Sequence, residues 1–531
     1  MPASRPPQND PAAEGEGDEF EPAMLDEDEA QEVVEAGDDD GDVAMDSDGE
    51  DDGGGEYNGE GEEAMTLEND SIAYMDRHKD SVFAIAQHPL YPHLVATGGS
   101  EGDADDAPGK GYVIDTSAAA PRPRPLLPPS YNADAAAGPA PLQNTELEPI
   151  FAIDGHTDSI NALAFTQPRG EYLVSGGMDG RLRVYSVAVN GSTGAAKIAF
   201  VGESQETEEV TWLAPSPSAE YANTIAFGAS DGSVWVLSID AAAEPAIQIV
   251  QSYFLHTGPC TAGAWSPDGL LLATVSEDGS LHVFDVWGAA AAKSLVTDNG
   301  QTVVSLTEAD QRFAVEGGFF SVAVAPSGTF LAAGGAGGAI RIVSLPRLTT
   351  TQTSTSTSQS QRRGGAATTS DQSSHAAGTI LAGINTQADS IESLSFSPAP
   401  RTLLAAGSVD GSIAVFDTSR SFAQRRIVRA AHDGEPVVKV EFVRSAPTAA
   451  AAGWLLTSCG LDGVVRRWDL RGATPSQNTV SGAEATGLVK EWRGHRGGGG
   501  EGGGVLGFVQ GDTGERVVTA GDDSVVLVFE A

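Results

Sequence analysis

Four times this chain sets a histidine, a hydroxyl and an aspartate in order, the residue types of a nucleophilic relay. The sets are His156, Ser175 and Asp179; His256, Thr274 and Asp278; His432, Ser458 and Asp462; and His495, Thr519 and Asp523. In each, the hydroxyl precedes the aspartate by four residues and an aromatic by ten: Tyr185, Phe284, Trp468 and Phe529. One such set would suggest a hydrolase. Four equivalent sets point to a repeated structural device, because buried polar groups must find partners among themselves. No G-x-S-x-G elbow accompanies them. Trp468 alone among the four aromatics brings an N–H donor, so the other three networks should be shorter. No catalytic residue is expected.

Other cofactor chemistry finds little support. The nine histidines show no metal-ligand spacing, and His88 and His93 in HPLYPH read as loop residues. The run GGGGEGGG lacks the Lys-Ser/Thr that completes a phosphate loop. No metal or cofactor is expected.

The elements that must position these residues come from a repeat. Ala264–Val286 reads AWSPDGLLLATVSEDGSLHVFDV, and variants recur at 164–187, 395–418 and 454–470. Each copy has an apolar strand, a turn, a strand ending in small residues, an Asp-Gly turn, and a strand ending in an aromatic. Alternation such as Leu182/Val184 and Ile413/Val415 is strand periodicity. A period of about 40–50 residues with four strands per unit reads as a WD40-type β-propeller. The expected fold is all-β, an eight-bladed propeller over 66–531, with a disordered acidic tail at 1–65. Its units lie near 76–116, 150–190, 199–240, 249–290, 311–346, 380–420, 427–472 and 487–531. The fifth is degenerate, with Gly337 in place of the turn Asp. Segments 117–149, 347–379 and 496–504 are read as loop insertions. The eighth unit lacks a fourth strand, and the stretch around Ser71–Tyr74 is expected to supply it and close the ring.

Aligning the units on the first apolar residue of the inner strand reveals a second set of reactive positions. Two residues earlier stand Asp80, Asp158, Glu208, Asp389 and Glu435, with Glu209 and Glu392 beside them. Loops entering inner strands surround one mouth of a propeller channel, so these carboxylates would focus a negative potential there. Such a ring suits the Lys and Arg side chains of an extended peptide. Aspartate also favours turns for local reasons, but glutamate does not share that preference. The fifth unit interrupts the ring with Phe319 and Phe320, read as core in preference to the alternative of an apolar anchor.

Charge narrows the function classes. The chain has 531 residues and a formal net charge of −45. Residues 1–70 hold 27 Asp+Glu and one basic residue, Arg5. That segment has too little apolar content to offset its ordering entropy; it is either a solubilising tail or a lure for a basic partner. Direct nucleic-acid binding is not expected without clustered Lys/Arg. No apolar run reaches membrane length, and no secretory signal is apparent. Cys260 and Cys459 suggest a reducing compartment. A monomer in the cytoplasm is expected, with the nucleus as a second location.

Taken together, IESLSFSPAPRTLLAAGSVDGSIAVFD, SCGLDGVVRRWDLR, the closing EWRGH and VVTAGDDSVVLVF, and the acidic leader resemble one family. It is the angio-associated migratory cell protein family, whose fungal relatives are dedicated ribosomal-protein chaperones (ribosome-assembly WD-repeat proteins, SQT type). The resemblance covers roughly residues 70–531. It implies binding of the basic N-terminal segment of a newly made large-subunit ribosomal protein, of the L-ten (universal L-sixteen) type, until it joins the 60S subunit. The animal relatives are discussed in migration and signalling, which implies the alternative of a general adaptor. The insertions at 117–149 and 347–379 and the Gly337 blade depart from the family pattern.

Overall fold

Alternating apolar residues give each repeat strands that are buried on both faces, so the repeats stack as blades around a common axis. The structure is a computed structural model that describes residues 69–102, 107–119, 144–348, 376–445, 453–471, 487–496 and 503–531. The acidic segment 1–65 and the middles of the three insertions lie outside the described residues. Eight antiparallel sheets form the blades. Blade 2 is representative, with an inner strand Ile160–Phe165, a second Tyr172–Gly177, a third Arg181–Val189 and an outer Ala196–Gln205. Each inner strand touches the next around the ring, and the inner strand of blade 8, Val505–Val509, touches that of blade 1, Ala84–Gln87. Among the described residues, helix is confined to three-residue 3-10 turns.

The repeat and the blade are offset by one strand. Pro149–Ile153, assigned from sequence to the second unit, is the outer strand of blade 1 and pairs with Gly109–Asp115. Closure follows the same rule. Blade 8 ends at Val526–Glu530, and Ala73–Met75 adds to it antiparallel, with Ala73 opposite Val528 and Met75 opposite Val526. The insertion 117–149 is not wholly a loop, which corrects the expectation. Its last residues include Thr145–Glu146, a fifth strand lying parallel to Ala73–Met75. The amide of Leu147 donates to the Tyr74 carbonyl (2.8 Å), and the Asn144 amide donates to Ser71 Oγ (3.0 Å). The closing strand is thereby covered on its outer side.

Two series of bulges shape the blades. In blades 2 to 8 the register of the inner strand slips at its second residue, as between Ile160 and Ala162. In blades 1 to 7 the pairing of the outer strand slips too. An outer strand bent in this way is a poor template for added strands. The Asp-Gly turns allow blades to approach closely. Gly180 has φ +69°, and a Cβ there would lie 2.1 Å from the Thr207 carbonyl of the next entry loop. The degenerate fifth turn keeps this requirement at Gly338, φ +71°, where a Cβ would meet the Gln387 carbonyl at 2.0 Å.

Candidate functional site

The histidine sets are assembled, and their geometry is structural. In blade 7, Trp468 Nε1 donates to Ser458 Oγ (2.8 Å), His432 Nε2 lies 2.8 Å from that oxygen, and His432 Nδ1 lies 2.9 Å from Asp462. Blade 8 repeats it with His495, Thr519 (2.7 Å) and Asp523 (2.9 Å). Blade 2 does so with His156, Ser175 (2.8 Å) and Asp179 (3.1 Å), while the Tyr185 hydroxyl donates away to the Asp154 carbonyl. Blade 4 departs from the expected set. His256 Nε2 meets Thr274 Oγ1 at 2.8 Å, but Nδ1 faces Ser280 Oγ (2.6 Å), with Asp278 3.9 Å away. Asp278 instead accepts from the Thr257 and Ser280 amides. The four hydroxyl residues are 0% exposed, so no substrate could reach them as nucleophiles. Burial pushes the Asp179, Asp462 and Asp523 carboxyls up. Hydrogen bonds from histidine and backbone amides outweigh it and hold all three below the usual range.

In blades 2, 4, 7 and 8 these networks hold the loop before the inner strand in place. Three equivalent arginines, four residues past the turn aspartate or its Gly337 counterpart, extend the bracing. Arg183 donates to the Gly155 carbonyl (3.5 Å), Arg341 to those of Phe313 and Ala314 (3.3 and 3.2 Å), and Arg466 to that of Ala431 (2.9 Å). Arg466 is almost fully buried and also binds Asp433, Asp462 and Glu491. Ala430 and Asp433 in the same loop have φ of +50° and +54°. That is an uncommon conformation for non-glycine residues, held by this network.

These loops carry the carboxylates singled out in the sequence. Asp80, Asp158, Glu208, Asp389 and Glu435 each stand two residues before a fully buried anchor: Val82, Ile160, Val210, Ile391 and Val437. Asp158 and Asp389 accept from the next amide at 2.6 and 2.7 Å, so the turn preference is part of their role. Glu208 and Glu435 are exposed and make no side-chain hydrogen bond or ion pair among the described residues. Glu209 is half-buried. Glu392 sits at the bulge of its inner strand and is exposed as a residue, yet crowding of its carboxyl and the Asp389 charge raise its pKa. A neighbouring like charge disfavours the ionised form of a carboxyl, and a cation placed between the two would relieve that cost.

The bulge also corrects one reading. Phe319 is core, 0% exposed, but Phe320 is half-buried at the bulge rather than core. Phe83 holds the same position in blade 1 and is exposed. In blades 2 to 4 that position ties to the next inner strand: Asn161 to the Val210 carbonyl (2.6 Å), Thr211 to Cys260 (2.6 Å) and Thr261 to Phe319 (2.7 Å).

Two carboxylates escaped the sequence alignment. Glu277 and Asp522 immediately precede the turn aspartates of blades 4 and 8. Their amides bond the entry loops at Pro259 (3.2 Å) and Gly504 (2.9 Å), and Asp522 accepts from Ser81 Oγ across the ring closure. They were missed because they follow the second strand instead of preceding the first. The signal was present as the residue before the turn Asp in each repeat. A cavity of about 780 Å³ opens at the far end of the channel, lined by Gln87, Phe165, Glu441, Gln510 and Arg516 among others. Its mixed charges and its distance from the entry loops set it apart from the carboxylate mouth. Among the described residues, no group of three His, Cys, Asp or Glu is placed to hold a metal ion.

Comparison with known proteins finds relatives of the same fold. Residues 147–186, 247–285 and 378–417 match the WD domain, G-beta repeat family. The crystal structure of Chaetomium thermophilum Sqt1 is 65% identical, with TM-score 0.74, covering 87% of this chain and 98% of that one. Chaetomium thermophilum Sqt1 bound to the N-terminus of the ribosomal protein L10 is 64% identical, with TM-score 0.73, covering 87% and 100%. The ribosome assembly protein SQT1 of Saccharomyces cerevisiae is 29% identical over 291 residues, 53% of this chain and 54% of that protein. In that alignment the chain spans about half the length of the curated relative.

Proposed function

The chain belongs to the Sqt1 family of WD-repeat proteins, and from that premise we propose that it chaperones a newly made large-subunit ribosomal protein of the L10 type. It binds that protein's basic N-terminal segment at the carboxylate-ringed channel mouth and releases it into the assembling 60S subunit. It does so in the cytoplasm, as a monomer, without catalysing a reaction and without touching nucleic acid directly. The observation that carries this reading is the shared position of Asp80, Asp158, Glu208, Asp389 and Glu435 on the entry loops, with Glu208 and Glu435 making no side-chain pair among the described residues. A ribosomal protein exposes cationic, RNA-binding segments before assembly. A ring of carboxylates neutralises them through charge-assisted hydrogen bonds, and the surrounding apolar residues, such as Phe83, exclude water from them.

Affinity capture of the tagged protein from cells, with pulse-labelling of new chains, tests the proposal. Enrichment of one newly made basic ribosomal protein is the expected result. Recovery of several signalling proteins without it would favour the adaptor alternative.

A further inference from the structure

The carboxylate mouth is not uniform around the ring, because its apolar side chains gather on one arc. Phe83, Met178 and Leu461 are 39%, 41% and 38% exposed. They belong to blades 1, 2 and 7, and the inner strand of blade 8 touches those of blades 7 and 1. Met178 and Leu461 hold one place in the repeat, directly before the turn aspartates Asp179 and Asp462. The Met178 amide donates to the Ser159 carbonyl (2.9 Å), beside Asp158. The Leu461 amide donates to the Pro436 carbonyl (3.0 Å), beside Glu435. Leu461 also leans over the entry loop of blade 8, where a Cβ on Gly504 would come within 2.6 Å of it. Phe83 stands three residues after Asp80. Half-buried Val438 and Leu506 fill the bulge positions of blades 7 and 8. Across blades 7, 8, 1 and 2, apolar side chains are thus interspersed with the carboxylates Glu435, Asp522, Asp80 and Asp158.

The fold does not require these three side chains. In the place before the turn, other blades carry Ser230, Glu277, Ala336 and Val409. Each amide there makes the equivalent bond to its entry loop, whatever the side chain. Phe83 occupies the position where Asn161, Thr211 and Thr261 tie their strands to the next, and it forgoes that tie. Single exposed apolar residues are ordinary on a protein surface. These three, however, stand beside carboxylates on consecutive blades of one mouth. At the same two positions, no large apolar residue of blades 3 to 6 is exposed.

We propose that the arc of blades 7, 8, 1 and 2 reads apolar side chains set between the cations of the bound segment. The mouth thereby selects an interleaved basic and apolar sequence over a plain polycation. This rests on the function stated above and names what that site discriminates. Charge complementarity fixes the occupant. A purely apolar segment would bury the carboxylates of the arc without partners, whereas one that brings Lys or Arg pairs with them. A plain polycation would leave Phe83, Met178 and Leu461 in water. Covering them adds affinity in proportion to the apolar area buried, and salt does not screen that gain as it screens exposed charge pairs. Carboxylates alone attract any basic chain, and specificity is a difference of affinities that charge by itself does not supply.

The test measures anisotropy of two labelled peptides of equal length and charge against the full chain at physiological ionic strength. One has Ser between its lysines and the other has Leu. The Leu peptide should bind at least about tenfold more tightly. Met178→Ser/Leu461→Ser should cut that ratio to about threefold or less. Leu90→Ser should leave the ratio unchanged, because Leu90 is exposed in the loop between Ala84–Gln87 and Leu94–Ser100, at the other end of blade 1. If the double variant folds poorly, Phe83→Ser replaces it and should lower the ratio in the same direction, with Phe83→Leu restoring it. Equal affinity of the parent for the two peptides, or a ratio that survives these variants, overturns the proposal. The carboxylate site itself still stands in that case if Asp158→Lys/Glu435→Lys abolishes binding of the Ser peptide. If neither peptide binds the parent, or the reversed protein binds both as the parent does, the function assigned to the mouth falls and this proposal with it.

Discussion

The channel mouth and the opposite end of blades 6 and 7, their underside, place side chains of opposite charge and hold them by different means. At the mouth, short carboxylate side chains take their positions from the backbone of the entry loops. Glu208 and Glu435 need no side-chain partner to be there. On the underside, the long side chains of Arg401 and Arg425 would lose much rotamer freedom if held by backbone placement alone. They are fixed by stacking on Trp454 and by carbonyls of the neighbouring blade. The strands between the two ends are the same repeated apolar frame. Net charge therefore says little about either face, because loop residues set local sign independently at each end.

If the mouth alone reads basic peptides, reversing charge there must remove that binding and nothing else. Asp158→Lys/Glu435→Lys should reduce affinity for the partner's basic N-terminal peptide by at least about a hundredfold, since desolvated charge pairs are worth about 2–5 kcal/mol each when broken. Calorimetric titration checks this, with an unchanged urea-unfolding midpoint as the control for folding. Normal peptide binding by the reversed protein would move the site away from the mouth.

A smaller effect separates the bracing from the contacts. Arg466→Gln leaves the buried Asp462 without its arginine, and removing one partner of such a buried pair costs about 3 kcal/mol. Urea unfolding should show that loss. The loosened loop bearing Glu435 should weaken basic-peptide binding severalfold. A variant that loses stability but binds the basic peptide as before would show that the brace does not position the site.

The contrast between the ends also marks what the sequence could tell. The mouth was legible because its carboxylates recur at one offset from a repeated apolar residue, and periodicity turns such an offset into a common place in space. Glu277 and Asp522 used a different offset and were missed. Phe320 was misread because a bulge, which leaves no local sequence signal, turns it out of the core. Thr145–Glu146 was taken for part of a loop because a two-residue strand has no period to detect. The arginine cluster on the underside was illegible for another reason. Arg401, Arg425 and Arg471 belong to non-equivalent positions on two blades, and only the fold brings them to Trp454. The His256 network shows the same limit on a smaller scale, since Ser280 displaces Asp278 by occupying a closer position in the turn.

The smallest expected effect depends on protons. The pKa of Glu392 is raised by crowding and by Asp389, so it begins to take up a proton at a higher pH than an ordinary glutamate. Its charged form favours a cationic ligand. As pH falls into the upper part of the carboxylate range, affinity for a Lys/Arg peptide should therefore drop earlier than an ordinary glutamate would allow, by up to roughly two- to fivefold once this exposed charge pair of about 0.5–1 kcal/mol is lost. Linkage gives the reciprocal result, that binding near that pKa releases a proton. Peptide titrations at several pH values, repeated with Glu392→Gln, decide the matter. The variant should bind somewhat more weakly at pH 7 and lose the pH dependence. A slope that persists in Glu392→Gln would mean that another carboxylate of the ring, and not this one, senses the proton.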